Sequence, residues 1–181
     1  AHERAHEAPM IEVRVSREMY EAMRADLARP HEFAAERVGF CMGRIGITAS
    51  GCMILLTRYC SVPDEHYIDD PTVGARIGTD ALTAVAHAIY HGRAKAEGVF
   101  HVHVHEHYGK TGMSRTDKAE LPKLVPGFRS VGPQAPHGII IWSLDHAAAW
   151  VWLPGSSEPV RADKTSIVGA PISVFCEEWL S

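Results

Sequence analysis

Histidine stands at every second position from His101 to His107, with Val102 and Val104 between the first three and Glu106 before the last. An alternating row of this kind reads as a β-strand, because side chains two residues apart point to the same face. One face is then imidazole and the other apolar. Val102 and Val104 are expected to pack on a core, while the histidines converge on something that takes nitrogen ligands, a divalent metal being the obvious candidate. The competing reading is a solvated polar face of a half-buried strand, or an incidental chelator. What favours a site is the stretch Ser114-Arg115-Thr116-Asp117, which follows the row after a short glycine-bearing loop. That spacing also fits a plain helix N-cap serine.

At 181 residues and 46% hydrophobic, the chain is long enough for one buried core, so a single domain over residues 10–181 is expected after a polar tail over residues 1–9. A formal charge of -4 and the absence of any lysine or arginine run argue against nucleic acid and against an anionic membrane surface as partners. The longest apolar runs are too short to span a bilayer, and no charged-then-apolar pattern of a signal peptide opens the sequence, so a cytoplasmic protein is expected. Cys41, Cys52, Cys60 and Cys176 lack Cys-x-x-Cys spacing and read as reduced small hydrophobes. The twelve histidines are the compositional anomaly.

Along the chain, Ile11 to Val15 alternates like a half-buried strand, and Ser16 is placed to cap a helix over Arg17 to Arg29, which Pro30 stops. Met19, Tyr20, Met23 and Leu27 recur at helical spacing and read as its buried face. Ala34 to Gly43 reads as a strand with glycines where backbone or a ligand approaches closely, with Glu36 at its mouth. Ser50-Gly51 is a turn, so Val38 to Ala49 and Cys52 to Val62 should pair as a hairpin. Pro63 to Gly74 reads as an acidic loop, and Thr79 precedes a helix that Gly98 ends. The strand from Val99 carries the histidines. Asp117 opens a short helical segment that Pro122 and Pro126 curtail. Ile139 to Trp142 and Ala147 to Leu153 form another hairpin, and a last strand covers Ile167 to Phe175. Strands at both ends with two main helices between them imply an α+β fold, an α/β sandwich with a mixed β-sheet packed against helices.

Two histidines, a carboxylate and an open fourth position describe a catalytic rather than a structural zinc site, since structural sites close all four positions. With His103, His105 and Asp117 as ligands, zinc would lower the pKa of a bound water from ~15.7 toward ~7 and polarise a carbonyl. Glu36 would then carry a proton from the water to a departing amine, and the Ser114 hydroxyl would donate to the developing oxyanion.

These residues resemble the JAMM metalloproteases of the JAB/MPN/Mov34 superfamily. The family pattern is a glutamate before a Gly-x-x-x-Gly-like strand, then His-x-His, then Ser-x-x-Asp. Its counterparts here are Glu36 with Gly39 to Gly43, His103-Val104-His105, and Ser114 to Asp117, and the likeness runs over roughly residues 10 to 155. The resemblance implies a JAB/MPN-like fold, Glu36 as general acid/base, Ser114 as oxyanion donor, and zinc (Zn2+) on His103, His105 and Asp117. Two departures stand out: Glu106 replaces the proline usual after the second histidine, and Ser114 lies one position further from His105 than is usual. The His105/His107 register therefore stays open, and His101/His103 would need a larger insertion. His101 and His107 would then support the ligands from behind or face the substrate.

By the same resemblance, the substrate is the C-terminus of a ubiquitin-like protein, joined by an isopeptide or peptide bond. The compact chain is closest to small bacterial members, often encoded beside activating and conjugating enzymes. Three alternatives remain: a scaffold without catalysis, a zinc hydrolase or lyase acting on a small molecule or sulfur-carrier protein, and a histidine-rich metal-binding module in which Glu36 plays no part.

Overall fold

In the computed structural model, residues 10 to 32 and 34 to 177 are described, so the expected tail over residues 1–9 lies outside them. Strand β1 (Met10–Ser16) buries Ile11, Val13 and Val15. Ser16 then caps helix α1 (Arg17–Leu27), its hydroxyl accepting from the Met19 amide, which would otherwise lack a partner in the helix. The helix ends at Leu27, short of the expected Arg29. The Arg29 amide already closes a tighter turn onto the Asp26 carbonyl, and the position before a proline disfavours helical backbone.

Strands β2 (Val38–Thr48) and β3 (Gly51–Ser61) form the expected hairpin, with a shift in register between Met42 and Gly43. Strand β2 begins at Val38, not Ala34. The preceding segment is tied elsewhere: the buried Arg37 guanidinium donates to the Arg29 and Pro30 carbonyls and to Asp64, and the Glu36 amide donates to the Gly74 carbonyl. The glycines of β2 admit aromatic neighbours. A side chain at Gly39 would collide with the Tyr59 phenol, and one at Gly43 would lie 2.9 Å from the Phe100 ring.

Helix α2 (Thr79–Gly92) ends six residues before the expected Gly98, which instead opens strand β4 (Gly98–Val104) where the Pro136 backbone leaves no room for a side chain. Helices α3 (Arg115–Glu120) and α4 (Leu124–Val131) follow. Pro126 does not curtail the helical segment as expected. It sits in the first turn of α4, where an amide N–H has no helical partner to lose. Strands β5 (His137–Trp142) and β6 (Ala147–Trp152) form the expected hairpin. The last strand is in fact two, β8 (Lys164–Val168) and β9 (Ser173–Cys176), paired antiparallel, with the short β7 (Val160–Arg161) before them.

Among the described residues, nine strands join one mixed sheet in the order β7-β6-β5-β4-β2-β3-β1-β8-β9. Pairings of β1 with β3 and β8, and of β4 with β5, are parallel. The sheet curls far enough that adjacent residues bond to distant strands: the Ala162 amide donates to Ala149 of β6 and the Asp163 amide to Ile11 of β1. Its inner face packs Val13, Ile54, Phe100, Val102, Trp142 and Ile167 with Met23 of α1. On the outer face, Phe40 and Val99 pack with Val85 and Ile89 of α2 and Phe128 of α4. The α+β reading with a mixed sheet against helices therefore holds. The four cysteines are free thiols, and among the described residues no helix is long and apolar enough to cross a membrane.

Candidate metal centre

Alternation along β4 sends Phe100 and Val102 inward and His101 and His103 to the outer face, where both are buried. His105 lies just past the strand, yet its amide donates to the Trp142 carbonyl at 2.8 Å, which prolongs the pairing with β5 and keeps its ring beside His103. The two Nε2 atoms are 3.1 Å apart. Strand β2 pairs Val38 with His103, so Glu36, two residues earlier, arrives at the same end of the sheet. Ligand atoms of Glu36, His103 and His105 all lie within 4.8 Å of one another.

Asp117 comes from α3 through a reciprocal cap. The Ser114 hydroxyl accepts from the Asp117 amide at 3.1 Å, and Asp117 Oδ2 accepts from the Ser114 amide at 2.8 Å. This fixes the carboxylate with Oδ1 3.5 Å from His103 Nε2 and Oδ2 3.3 Å from His105 Nε2. Donors bound tetrahedrally at ~2.0–2.1 Å sit ~3.3 Å from one another, which the two imidazole nitrogens match. The two Asp117 distances run to different oxygens, and the residues whose single ligand atoms gather are Glu36, His103 and His105.

The charge states suit the same use. Burial, assisted by His103, holds the His105 imidazole below its ordinary range, and burial pushes His101 down to about 3, so both are neutral near pH 7. Burial works against ionised Asp117, but hydrogen bonds from His103 and Ser114 outweigh it and hold the carboxyl well below its usual range. Neutral imidazole and ionised carboxylate are the forms that bind metal. Glu36 moves the other way, raised chiefly by burial and further by Asp117 and Glu106, against the opposing effect of His103.

Of the residues expected at the site, Glu36, His103, His105 and Asp117 are therefore brought together. Ser114 is exposed and lines the same cavity of about 480 Å³ as Glu36, His103 and Asp117. His101 stands behind His103, edge-on to Phe40, while His107 is exposed with its ring 6.0 Å from His105. Two participants carry no mark in the sequence. Gly74 lies so close to the Glu36 carboxylate that a side chain there would collide with it, and the buried Thr111 places its hydroxyl 3.4 Å from His105 Nδ1. Both contacts depend on how loops fold back, and nothing in the local spacing reports them.

No family model and no curated protein matches the sequence. Among solved structures, the N-terminal domain of Trichoplax adhaerens STIL is similar at 7% identity and a TM-score of 0.35, over 76% of this chain and 39% of that one. The chain thus spans well under half of that structure's length, and a likeness at this level carries no argument about fold or chemistry.

Proposed function

We propose that the chain is a cytoplasmic zinc metalloprotease of the JAMM type, with a JAB/MPN-like arrangement, that cleaves the amide following the C-terminus of a ubiquitin-like protein. The observation that carries this reading is the convergence of four side chains: the Nε2 atoms of His103 and His105 are 3.1 Å apart, each lies within 3.5 Å of one or other oxygen of Asp117, and Glu36 stands alongside. Those three residues would hold the ion. Zinc bound there supplies Lewis acidity, which acidifies water and polarises a carbonyl oxygen. Glu36 takes a proton from the attacking water and gives it to the departing amine, a role that its raised pKa supports. The exposed Ser114 hydroxyl donates to the carbonyl oxygen as charge builds on it. An extended, glycine-ended tail is taken up beside these groups, with strand addition as its mode of binding. Partners are the ubiquitin-like protein or its conjugates, with activating and conjugating enzymes acting on the same protein.

The test is metal analysis together with cleavage of a ubiquitin-like protein carrying a fluorogenic C-terminal amide. Parent protein should hold about one zinc and cleave; Asp117→Ala should lose both, since two remaining ligands bind zinc poorly. Tight zinc retained by Asp117→Ala would overturn the ligand set. Zinc binding without cleavage of any such amide would overturn the substrate.

A further inference from the structure

Helices α3 and α4 form a wall between two cavities. Thr116, Asp117 and Glu120 face the candidate metal centre, whereas Lys118, Val125 and Arg129 face a second and larger cavity of about 860 Å³. Its floor is Trp150 and Trp152, which share a face of β6 two residues apart, and Met113 adds a thioether. Pro122, Pro126, Pro133 and Pro159 stand in its sides. Proline fixes φ and carries no N–H, so these walls are rigid and offer few backbone donors. A cavity shaped in advance costs little ordering on binding.

The donors that remain are cationic. Neither Lys118 nor Arg129 forms an ion pair among the described residues, and the Ser130 hydroxyl is spent on the Gly127 carbonyl. Arg161, outside the lining, stands 5.4 Å from the Trp150 ring centroid and is paired with Glu177. Glu158 is the acidic side chain of the lining. A chain of net charge -4 thus carries a local reversal of sign around an aromatic floor. Trp, Met and Arg are the residue types enriched where proteins bind proteins.

We propose that this cavity is a docking site for an acidic peptide segment of a protein partner, seating a bulky apolar side chain against Trp150 with its carboxylates toward Lys118 and Arg129. The indoles argue against a nucleic acid as occupant. With Trp152 only 5% exposed, Trp150 is the one indole left for contact, which seats a single side chain but gives no row of platforms for successive bases.

Fluorescence anisotropy with a labelled peptide in which Leu-Phe is flanked by Asp and Glu tests the site, beside the same peptide with Lys and Arg flanks. The acidic peptide should bind saturably and weaken with salt, and the basic one should not bind. Arg129→Glu and Trp150→Ala should each weaken binding ~10-fold or more, whereas Arg129→Lys keeps most of it. Zinc content should be unchanged in all three. Equal binding of both peptides, no saturable binding of the acidic one, or indifference to Arg129→Glu would overturn the proposal. Displacement of the acidic peptide by single-stranded oligothymidylate at comparable affinity would also overturn it.

Discussion

Burial raises the Glu36 carboxyl, the charges of Asp117 and Glu106 add to that effect and His103 opposes it, so the group holds a proton more readily than a free carboxyl does. Glu36→Gln keeps the shape and removes the carrier. Zinc content and partner affinity should survive, while the cleavage rate falls ~100-fold or more. Near-parent rates with zinc bound would remove Glu36 from the mechanism. Thr111 is expected to act through His105, whose Nδ1 it approaches at 3.4 Å. Thr111→Val should weaken zinc affinity ~10-fold in a competition titration with a chelator, as loss of such outer partners does elsewhere. Strand period put the histidine row on one face, a local property, and the resemblance to the JAMM pattern singled out His103, His105 and Asp117, which the fold brings together. Gly74 and Thr111 were not legible, since each matters only through a residue that folding brings to it.

At the scale of elements, the serine that caps α3 is also the proposed oxyanion donor, and two substitutions separate the roles. Ser114→Ala removes the cap and should cost about 1 kcal/mol in urea unfolding, whereas Ser114→Gly should cost only a few tenths. Activity should fall equally in both if the hydroxyl donates during catalysis. A loss that follows stability instead would leave Ser114 as a cap alone. The helix starts after Ser16 and Ser114 were readable because the cap residue lies in the element's own sequence. Ends were read less well: Gly98 and Pro126 look like terminators in isolation, but one admits the Pro136 backbone and the other sits where a missing amide is harmless. The break between β8 and β9 was missed although Gly169 and Pro171 mark it, because the apolar residues on either side were read as one run.

For the whole molecule, the α+β class followed from the mixture of periods, but the strand order did not, since parallel partners lie far apart in sequence. The seam between β1 and β8 contains Glu12, for which burial is outweighed by hydrogen bonds from Arg14, Ser166 and Lys164, so its carboxyl is held below its ordinary range. A depressed carboxyl stabilises the fold above the unfolded pKa, ~4.3, and that contribution fades as pH falls through the folded value. Urea midpoints of parent and Glu12→Gln should therefore differ most near neutrality and converge in acid; a gap that persists at low pH would assign the loss to packing. The same seam governs the order in which the chain can assemble. Strand β1 is made before β8, which begins at Lys164, so one side of an interior strand has no partner until synthesis has passed that residue. Such distant pairing is slow to form and leaves an open strand edge meanwhile, where another chain can pair in place of the native partner.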